Sequence, residues 1–220
     1  MNQLKHIAII CDGNRTWARL LNKNPLFGHT QGAKNIKKIV KSAIENKISF
    51  LTLFLLSTEN LLNRSQSELD HLFSLFSKLI DYKKLFIENK IKFQTVGDTT
   101  KLPQNIQDSI NELKEATKDY SNLNLTFAVN YGGRDEIERA AKKYKNSSDI
   151  DFEDCLDSNF LPNVDILIRT GGFQRISNFL LWKLAYSEIF FTKKRWPDFS
   201  PEDFVEILDE YGNIERKFGK

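Results

Sequence analysis

The sequence predicts an α/β fold with a central, mainly parallel sheet of about six strands flanked by helices. Two observations lead to this prediction. Short apolar runs alternate with amphipathic stretches along the whole chain, and strands separated by helices require right-handed crossovers and a parallel sheet covered on both faces. No linker rich in Gly, Ser or Pro interrupts the alternation, and 220 residues are too few for two comfortable domains. We therefore expect a single domain over residues 1–220.

The first half of the chain predicts three strands and two helices. His6–Cys11 and Phe50–Leu56 are mostly apolar runs, which are typical of buried strands. Between them, Thr30–Asn46 places apolar residues at the three- and four-residue spacing of a helix face, namely Ala33, Ile36, Ile39, Val40 and Ala43. Glu68–Asn89 shows the same helical spacing, and Ile91–Val96 returns to a strand pattern.

The second half continues the alternation. Pro103–Tyr120 opens with a proline, which suits the first turn of a helix, and carries apolar residues at helical spacing. The same patterns predict strands at Leu123–Val129, Val164–Ile168 and Ile189–Phe191, and helices at Arg134–Tyr144, Phe179–Ala185 and Pro201–Tyr211.

Composition excludes several classes of protein. The net charge of +3 comes from 32 basic and 29 acidic residues, which is too balanced for nucleic-acid binding by bulk electrostatics, so no nucleic-acid partner is expected. The longest apolar run falls far short of the roughly 20 residues of a membrane span. Cys11 and Cys155 have no CxxC neighbour, so neither a disulfide framework nor a zinc site is expected. The start of the chain has no secretory pattern, and we expect a cytoplasmic protein.

Polar residues follow four of the predicted strands, and parallel strands bring their carboxyl ends to one edge of the sheet, where ligands bind. An arginine directly after an apolar strand, beside two glycines and a serine, suits bidentate phosphate binding. Asp12 would repel a phosphate unless a hard cation such as Mg2+ lay between them. The pattern therefore predicts a diphosphate and magnesium site, although each segment alone also suits an ordinary turn or helix cap. The segments are Asp12–Arg15, Ser57–Asn60, Asn130–Arg134 and Arg169–Gly172, the last followed by Arg175 and Ser177.

Leu61 and Leu62 indicate that the substrate also has an apolar part. We expect both in a loop directly beside the polar site, where an apolar substrate would explain them. An isoprenoid diphosphate needs both a polar and an apolar environment.

Five segments taken together are more specific than any one of these signals. They are DGNRTWA at 12–18, FGHTQG at 27–32, STEN at 57–60, NYGGRD at 130–135 and IRTGGFQRISNFLLW at 168–182. In this order and spacing they resemble the cis-prenyltransferase family, and within it the bacterial undecaprenyl diphosphate synthases. The resemblance extends from about His6 to Phe218.

The resemblance implies a homodimeric, Mg2+-dependent enzyme with a hydrophobic tunnel. Such an enzyme condenses isopentenyl diphosphate with an allylic diphosphate, such as farnesyl diphosphate. The implied product is a long-chain cis-polyprenyl diphosphate, undecaprenyl diphosphate in the bacterial members, which is a precursor of the lipid carrier for cell-wall glycans. A lipid product also implies transient contact with the inner face of the membrane.

The resemblance also implies roles for single residues. Asp12 would bind Mg2+ and assist the departure of the allylic diphosphate, and Glu188 matches a metal-associated glutamate. His29 would hydrogen-bond a phosphate, and Trp17 would line the tunnel entrance. The allylic diphosphate would be held by the backbone amides of Gly13, Asn14, Arg15 and Thr16, and isopentenyl diphosphate by Arg169, Arg175 and Ser177.

Asn60, in the segment Ser57, Thr58, Glu59, Asn60, matches the residue assigned as the proton acceptor of the condensation. Because a neutral amide is a weak base, positioning of the isopentenyl group or a relay to the diphosphate is the easier role.

Several positions depart from the family pattern. Thr16 stands where Arg is usual, with Arg15 beside it. Pro25 replaces another phosphate-binding Arg, for which Arg19 or Lys23 is the expected substitute.

The segment after the second strand departs as well. Leu61 replaces a usual Trp, and Arg64 corresponds to a usual Arg displaced by one inserted residue. Phe173 replaces a common Glu. Leu55 occupies a tunnel position that is small in long-chain members and bulky in short-chain members, so the product length stays open.

Two other interpretations stay open. Some relatives are non-catalytic subunits that activate a partner, but these typically lack the aspartate that Asp12 supplies here. A Mg2+-dependent phosphohydrolase on a similar sheet would release phosphate from a phosphomonoester without isopentenyl diphosphate.

Overall fold

The computed structural model describes residues 4–146 and 149–215. Within these ranges one sheet has six strands: β1 (His6–Ile10), β2 (Phe50–Ser57), β3 (Ile91–Val96), β4 (Leu123–Tyr131), β5 (Ile166–Arg169) and β6 (Glu188–Phe191). Their order is β3-β4-β2-β1-β5-β6, and all neighbours are parallel. The predicted α/β class and parallel sheet are confirmed. Both ends of the expected 1–220 domain, and Phe218, lie outside the described residues.

Helices cover the sheet. They are α1 (Asn14–Leu20), α2 (Pro25–Glu45), α3 (Thr58–Asn63), α4 (Gln66–Phe76), α5 (Lys83–Glu88), α6 (Gln104–Thr117), α7 (Gly133–Lys145) and α8 (Pro201–Gly212). Short 3-10 turns occur at Ser77–Tyr82, Thr99–Lys101, Phe152–Cys155 and Trp196–Asp198. No helix in the described part of the chain is long and apolar enough to cross a membrane.

Helix α2 begins five residues before the predicted start at Thr30. The side chain of Asn24 accepts a hydrogen bond from the backbone N–H of Leu26, and Pro25 occupies the first turn, where its missing N–H costs nothing. Apolar periodicity begins only at Ala33, so the spacing alone could not locate this start. The residue that departs from the family pattern, Pro25, therefore has a structural role.

Three other predictions from the pattern are wrong in part. The single helix expected at Glu68–Asn89 is α4, a 3-10 segment and α5 in succession. Leu61 and Leu62 belong to α3 and not to a loop. The short helix expected at Phe179–Ala185 is a series of turns. It follows Ser177 and Asn178 and contains Leu180, which all have positive φ, and left-handed residues interrupt a right-handed helix.

The largest apolar cluster lies on one side of the sheet and joins β1, β2, β3, β4 and β5 to α2, α4, α5, α6 and α8. Helices α1 and α2 cross closely at Gly28, where an added Cβ would lie 2.0 Å from the carbonyl oxygen of Asn14. Only glycine permits this approach. His29 is the next residue of α2.

Candidate active site

Strands β1 and β5 are neighbours, but the chain leaves them in opposite directions. After β1 it runs to β2 on one side, and after β5 it runs to β6 on the other. Such a switch point opens a crevice beyond the carboxyl ends of the strands. Asp12 follows β1 there and Arg169 ends β5. The hydroxyl of Thr170 accepts from the Asp12 N–H at 3.0 Å and donates to the Asp12 carbonyl at 2.8 Å, which holds the two loops together.

Arg169 is a buried cation that connects the two loops of this crevice, with 3% of its surface exposed. Its guanidinium donates to the carboxylate of Asp12 at 2.8 Å, to the hydroxyl of Ser177 at 2.6 Å and to the carbonyl oxygen of Arg175 at 2.5 Å. Its Nε–H is buried and has no hydrogen-bond partner among the described residues. Arg169 therefore retains donor capacity for a phosphate oxygen after fixing both loops.

Asp12 keeps part of its carboxylate accessible, since 34% of its side chain is exposed. The other oxygen accepts from the N–H of Gly13 at 2.7 Å, and Gly13 has a φ of 101°, which favours glycine. The described residues contain no group of three or more His, Cys, Asp or Glu that could hold a metal ion. Mg2+, however, is commonly bound by one or two carboxylates together with substrate phosphates and water. The Asp12 carboxylate fits that kind of site.

A second network centres on Glu68, which sequence reasoning missed. Its carboxylate is buried and contacts Nε2 of His29 at 3.1 Å, Arg64 at 3.0 Å and Arg15 at 3.6 Å. Arg64 in turn donates to the side-chain oxygen of Asn60 at 2.7 Å. One carboxylate from α4 thus orients three predicted substrate-binding residues. The signal in the sequence was a carboxylate at the fourth position after Arg64, which is the helical ion-pair spacing.

The charge state of His29 follows from this network. Burial and the neighbouring charge of Arg64 lower the pKa of His29 from 6.5 to about 4, although the hydrogen bond to Glu68 acts in the opposite direction. The imidazole is therefore neutral at neutral pH. Since a carboxylate can only accept, Nε2 carries the ring proton and donates to Glu68, and Nδ1 is the acceptor.

Asn178 is a second residue that the sequence did not identify. Its side chain donates to Glu59 at 3.0 Å and accepts from the N–H of Arg134 at 2.9 Å, and its carbonyl accepts from the N–H of Gly133. Partial burial would raise the pKa of Glu59, but hydrogen bonds from Asn178, its own backbone, Ser57 and Thr58 outweigh this and lower it. Glu59 is thus a carboxylate, and Asn178 ties the loops after β2, β4 and β5 together.

Two adjoining cavities occupy the crevice and the space beside it. The polar cleft has a volume of about 770 Å3 and the apolar cavity about 250 Å3. The apolar cavity lies between α2 and the segment from α4 to α5. Five residues line both volumes and form a neck between them: Cys11, Asn14, His29, Phe54 and Leu55. The site therefore offers a charged compartment and an apolar one in direct succession.

Most of the predicted site residues line the polar cleft. They are Asp12, Gly13, Asn14, Arg15, Thr16, His29, Ser57, Glu59, Asn60, Arg64, Arg169, Arg175 and Ser177. Trp17, Thr58 and Leu61 do not line either cavity. Trp17 stacks on Phe27 and donates to Asp198 at 2.6 Å, so its indole holds α1 against the later part of the chain.

Glu188 lies away from this cleft. It begins β6 and is in register with Ile166, which pairs with Ile7 near the start of β1. Asp12 follows the opposite end of β1, about 16 Å further along at about 3.3 Å per residue. Within one chain, Glu188 and Asp12 do not share a site, and a metal-ligand role for Glu188 stays a prediction.

The structure distinguishes the candidates for the missing arginines. Arg15 and Arg19 both line the cleft, whereas Lys23 does not. Phe173 also lines the cleft, and the guanidinium of Arg175 lies 4.3 Å from its ring centroid. An aromatic face therefore holds Arg175 where the family commonly has a carboxylate.

Comparison with known proteins agrees with this geometry. The family model described as "Putative undecaprenyl diphosphate synthase" matches residues 10–219. The chain belongs to this prenyltransferase family. An isoprenyl transferase of Chlamydia trachomatis is 43% identical, and the match covers 98% of this chain and 91% of that protein. An isoprenyl transferase of Helicobacter pylori is 38% identical, and the match covers 100% of this chain and 98% of that protein.

Solved structures of the family have the same fold. The lavandulyl diphosphate synthase of Lavandula x intermedia, in complex with dimethylallyl diphosphate, has a TM-score of 0.94 and 36% identity over 98% of both chains. A probable undecaprenyl diphosphate synthase from Campylobacter jejuni has a TM-score of 0.83 and 35% identity over the full length of both. This chain therefore shares its α/β fold with both solved structures.

Proposed function

We propose that this chain is a Mg2+-dependent cis-prenyltransferase that condenses isopentenyl diphosphate with an allylic diphosphate. The observation that carries the proposal is the neck, at which the charged cleft passes directly into the apolar cavity. A diphosphate fits the first compartment and a hydrocarbon chain the second. Farnesyl diphosphate is the proposed starter, and undecaprenyl diphosphate, a lipid-carrier precursor for cell-wall glycans, is the proposed product.

The reaction moves charge in a way that the cleft can stabilise. The allylic C–O bond breaks and leaves its electron pair on the diphosphate, and the isopentenyl double bond forms the new C–C bond. The isopentenyl unit then loses a proton to an oxygen of the released diphosphate, and the C–H electron pair forms the new double bond. Mg2+ held by Asp12 and the substrate phosphates would neutralise the diphosphate charge. The apolar side of the neck would exclude water from the allylic cation. Five arginines line the described cleft and would stabilise the diphosphates electrostatically: Arg15, Arg19, Arg64, Arg169 and Arg175.

Each part of the cleft has a proposed substrate. Cys11 and Asn14 line the neck on either side of the Asp12 loop, so this loop and the start of α1 would hold the allylic diphosphate whose tail enters the neck. Arg175, Ser177 and the remaining donors of Arg169 would hold isopentenyl diphosphate. Asn60 lines the same cleft and is oriented by Arg64, so it would position a substrate there.

Homodimerisation is also proposed. Strand β6 is at the edge of the sheet and exposes Ile189 and Phe191 by 43% and 38% of their surfaces. A second copy would cover this apolar edge.

The test of the activity uses purified protein with farnesyl diphosphate, radiolabelled isopentenyl diphosphate and Mg2+, beside Asp12→Ala and a chelator control. We expect label in a solvent-extractable polyprenyl product from the wild type alone. Lack of incorporation with several starters would contradict the proposal in favour of a non-catalytic subunit. Release of phosphate from a phosphomonoester without isopentenyl diphosphate would contradict it in favour of a phosphohydrolase.

A further inference from the structure

Three lysines stand at the solvent-facing side of the apolar cavity. Lys34 and Lys37 on α2 and Lys78 in the 3-10 segment after α4 all line the cavity, and all three are exposed. We call them the lysine rim. Long lysine side chains place their apolar stems against apolar surface and their ammonium groups in water. The cavity therefore reaches solvent at a point that is apolar inside and positively charged outside.

Positive charge is concentrated in the segments that form the cavity. Residues 25–47 and 66–90, which contain α2 and the segment from α4 through α5, hold nine lysines against five acidic residues, Glu45, Glu68, Asp70, Asp81 and Glu88. Their net charge is +4, so the rest of the chain, whose share of the total of +3 is −1, is nearly neutral. These two segments contain no arginine, so they lack the fork geometry that recognises single phosphates and nucleic acids bidentately.

The rim lysines are also available for an external anion. Lys41, Lys83 and Lys84 nearby pair with glutamates. By contrast, no carboxylate of residues 4–146 and 149–215 lies within 4.0 Å of the ammonium groups of Lys34, Lys37 or Lys78. Their charges are not neutralised within the described structure.

We propose that the lysine rim docks this protein on an anionic phospholipid surface, with the outer end of the apolar cavity facing the lipid. The inference rests on the proposed function, because a polyprenyl chain growing in the cavity is insoluble in water and needs an apolar destination. Each lysine near an anionic bilayer contributes about 1 kcal/mol of attraction. The attraction decays over a Debye length of about 8 to 10 Å near physiological salt, so binding should be reversible by added salt.

The test measures co-sedimentation with vesicles of phosphatidylcholine alone and with vesicles in which part of it is replaced by phosphatidylglycerol, without any substrate. The wild type should bind only the anionic vesicles. A triple variant, K34E/K37E/K78E, should reduce binding at least about tenfold. The matched control, K101E/K142E/K145E, makes the same change of charge at exposed lysines that do not line the cavity, and it should bind within about twofold of wild type.

A second measurement covers the case in which the triple variant does not fold. The wild type is treated with an amine-acylating reagent, with and without the anionic vesicles. The rim lysines should be protected by the vesicles, while Lys142 and Lys145 should not. Equal protection at all these lysines, equal loss of binding in the two triple variants, or equally tight rim-dependent binding of a single-stranded oligonucleotide would overturn the proposal.

Failure of docking and failure of the enzymatic proposal are separable. Isopentenyl incorporation by the wild type in detergent reports the activity without any vesicle. Activity in detergent without binding to anionic vesicles would overturn the docking alone, and vesicle binding without incorporation would overturn the activity alone.

Discussion

The guanidinium of Arg64 donates a hydrogen bond of 2.7 Å to the side-chain oxygen of Asn60. Because arginine has no acceptor, this contact fixes the orientation of the amide, and the NH2 group of Asn60 is left to donate elsewhere. A carbonyl oxygen bonded to a cation is an even weaker base than a free amide. The geometry favours Asn60 as a donor that holds a substrate oxygen and disfavours it as the literal proton acceptor.

Asn60→Asp separates these two roles. The carboxylate would still accept from Arg64, but it would replace the NH2 donor with a negative charge facing the diphosphates. We expect kcat to fall about a hundredfold, which corresponds to the loss of about 3 kcal/mol from a charged hydrogen bond. Asn63→Asp makes the same change at an exposed position of α3 and should have little effect. Activity equal to or above wild type in Asn60→Asp would instead identify this position as the base.

Glu68→Gln tests the positioning role of the buried carboxylate. The amide keeps the shape but weakens the contacts to His29, Arg64 and Arg15, so kcat/KM should fall about ten- to hundredfold. Since Glu68 raises the pKa of His29, that pKa should fall further in the variant, and NMR titration of the imidazole measures it. Asp70→Asn, at an exposed site of the same helix, is the matched control. Indistinguishable kinetics of the two variants would refute the role.

Arg19 should compensate for the arginine that Pro25 replaces. It lines the polar cleft, whereas Lys23, four residues later, does not. Arg19→Glu should raise KM for the allylic diphosphate about tenfold, the effect of roughly 1.4 kcal/mol, with little change in KM for isopentenyl diphosphate. Lys23→Glu makes the same change of charge and is the control. It should leave the KM values for both substrates near those of the wild type. An equal effect of the two reversals would point to long-range charge and not to a contact in the cleft.

The local features of the fold could be predicted from the sequence, but the contacts between distant segments could not. Runs such as Leu123–Val129 identify strands because burial on both faces leaves a continuous apolar pattern. The pattern does not show the change at Ser77 from α-helix to 3-10 helix, because apolar residues continue on the buried side through Leu79. The turns after Ser177 depend on left-handed backbone conformations that propensity does not specify.

The residues of the candidate site also fall into two groups, those that the sequence could identify and those whose role depends on contacts between distant segments. Asp12, Arg169 and Ser177 could be identified because each follows a strand and the edge of a parallel sheet gathers such residues. Glu68 lies on a helix, and its significance comes from His29 on α2, 39 residues away. The position of Trp17 also depends on a residue far away in the sequence, because its indole donates a hydrogen bond to Asp198 and does not line either cavity.

Leu55 should limit the length of the product. It lines both the polar cleft and the apolar cavity, so its side chain narrows the path of a growing chain. Leu55→Ala should shift the products towards longer polyprenyl chains, measured by chromatography of the radiolabelled extract. Leu61→Ala, at a residue that lines neither cavity, is the control. An unchanged product distribution in Leu55→Ala would place the length limit elsewhere, at the far wall of the cavity.

His6 should make the fold sensitive to acid. It is fully buried in β1, where Nδ1 donates to the carbonyl oxygen of Pro162 and Nε2 accepts from the hydroxyl of Thr52, both at 2.8 Å. The neutral imidazole is therefore satisfied, and a proton on Nε2 would face a donor. Burial lowers the pKa of His6 from 6.5 to about 4.

The sign of the effect follows from proton uptake by the two states. Between pH 6.5 and 4 the unfolded chain binds a proton at this position and the folded chain does not, so the free energy of unfolding falls as the pH falls. One such histidine accounts for about 3 kcal/mol over this range. His6→Gln removes the titration, and its stability should decline correspondingly less between pH 7 and pH 4, as measured by urea unfolding at each pH. Parallel pH profiles of the variant and the wild type would show that other groups, such as His29, whose pKa is lowered in the same way, cause the acid sensitivity.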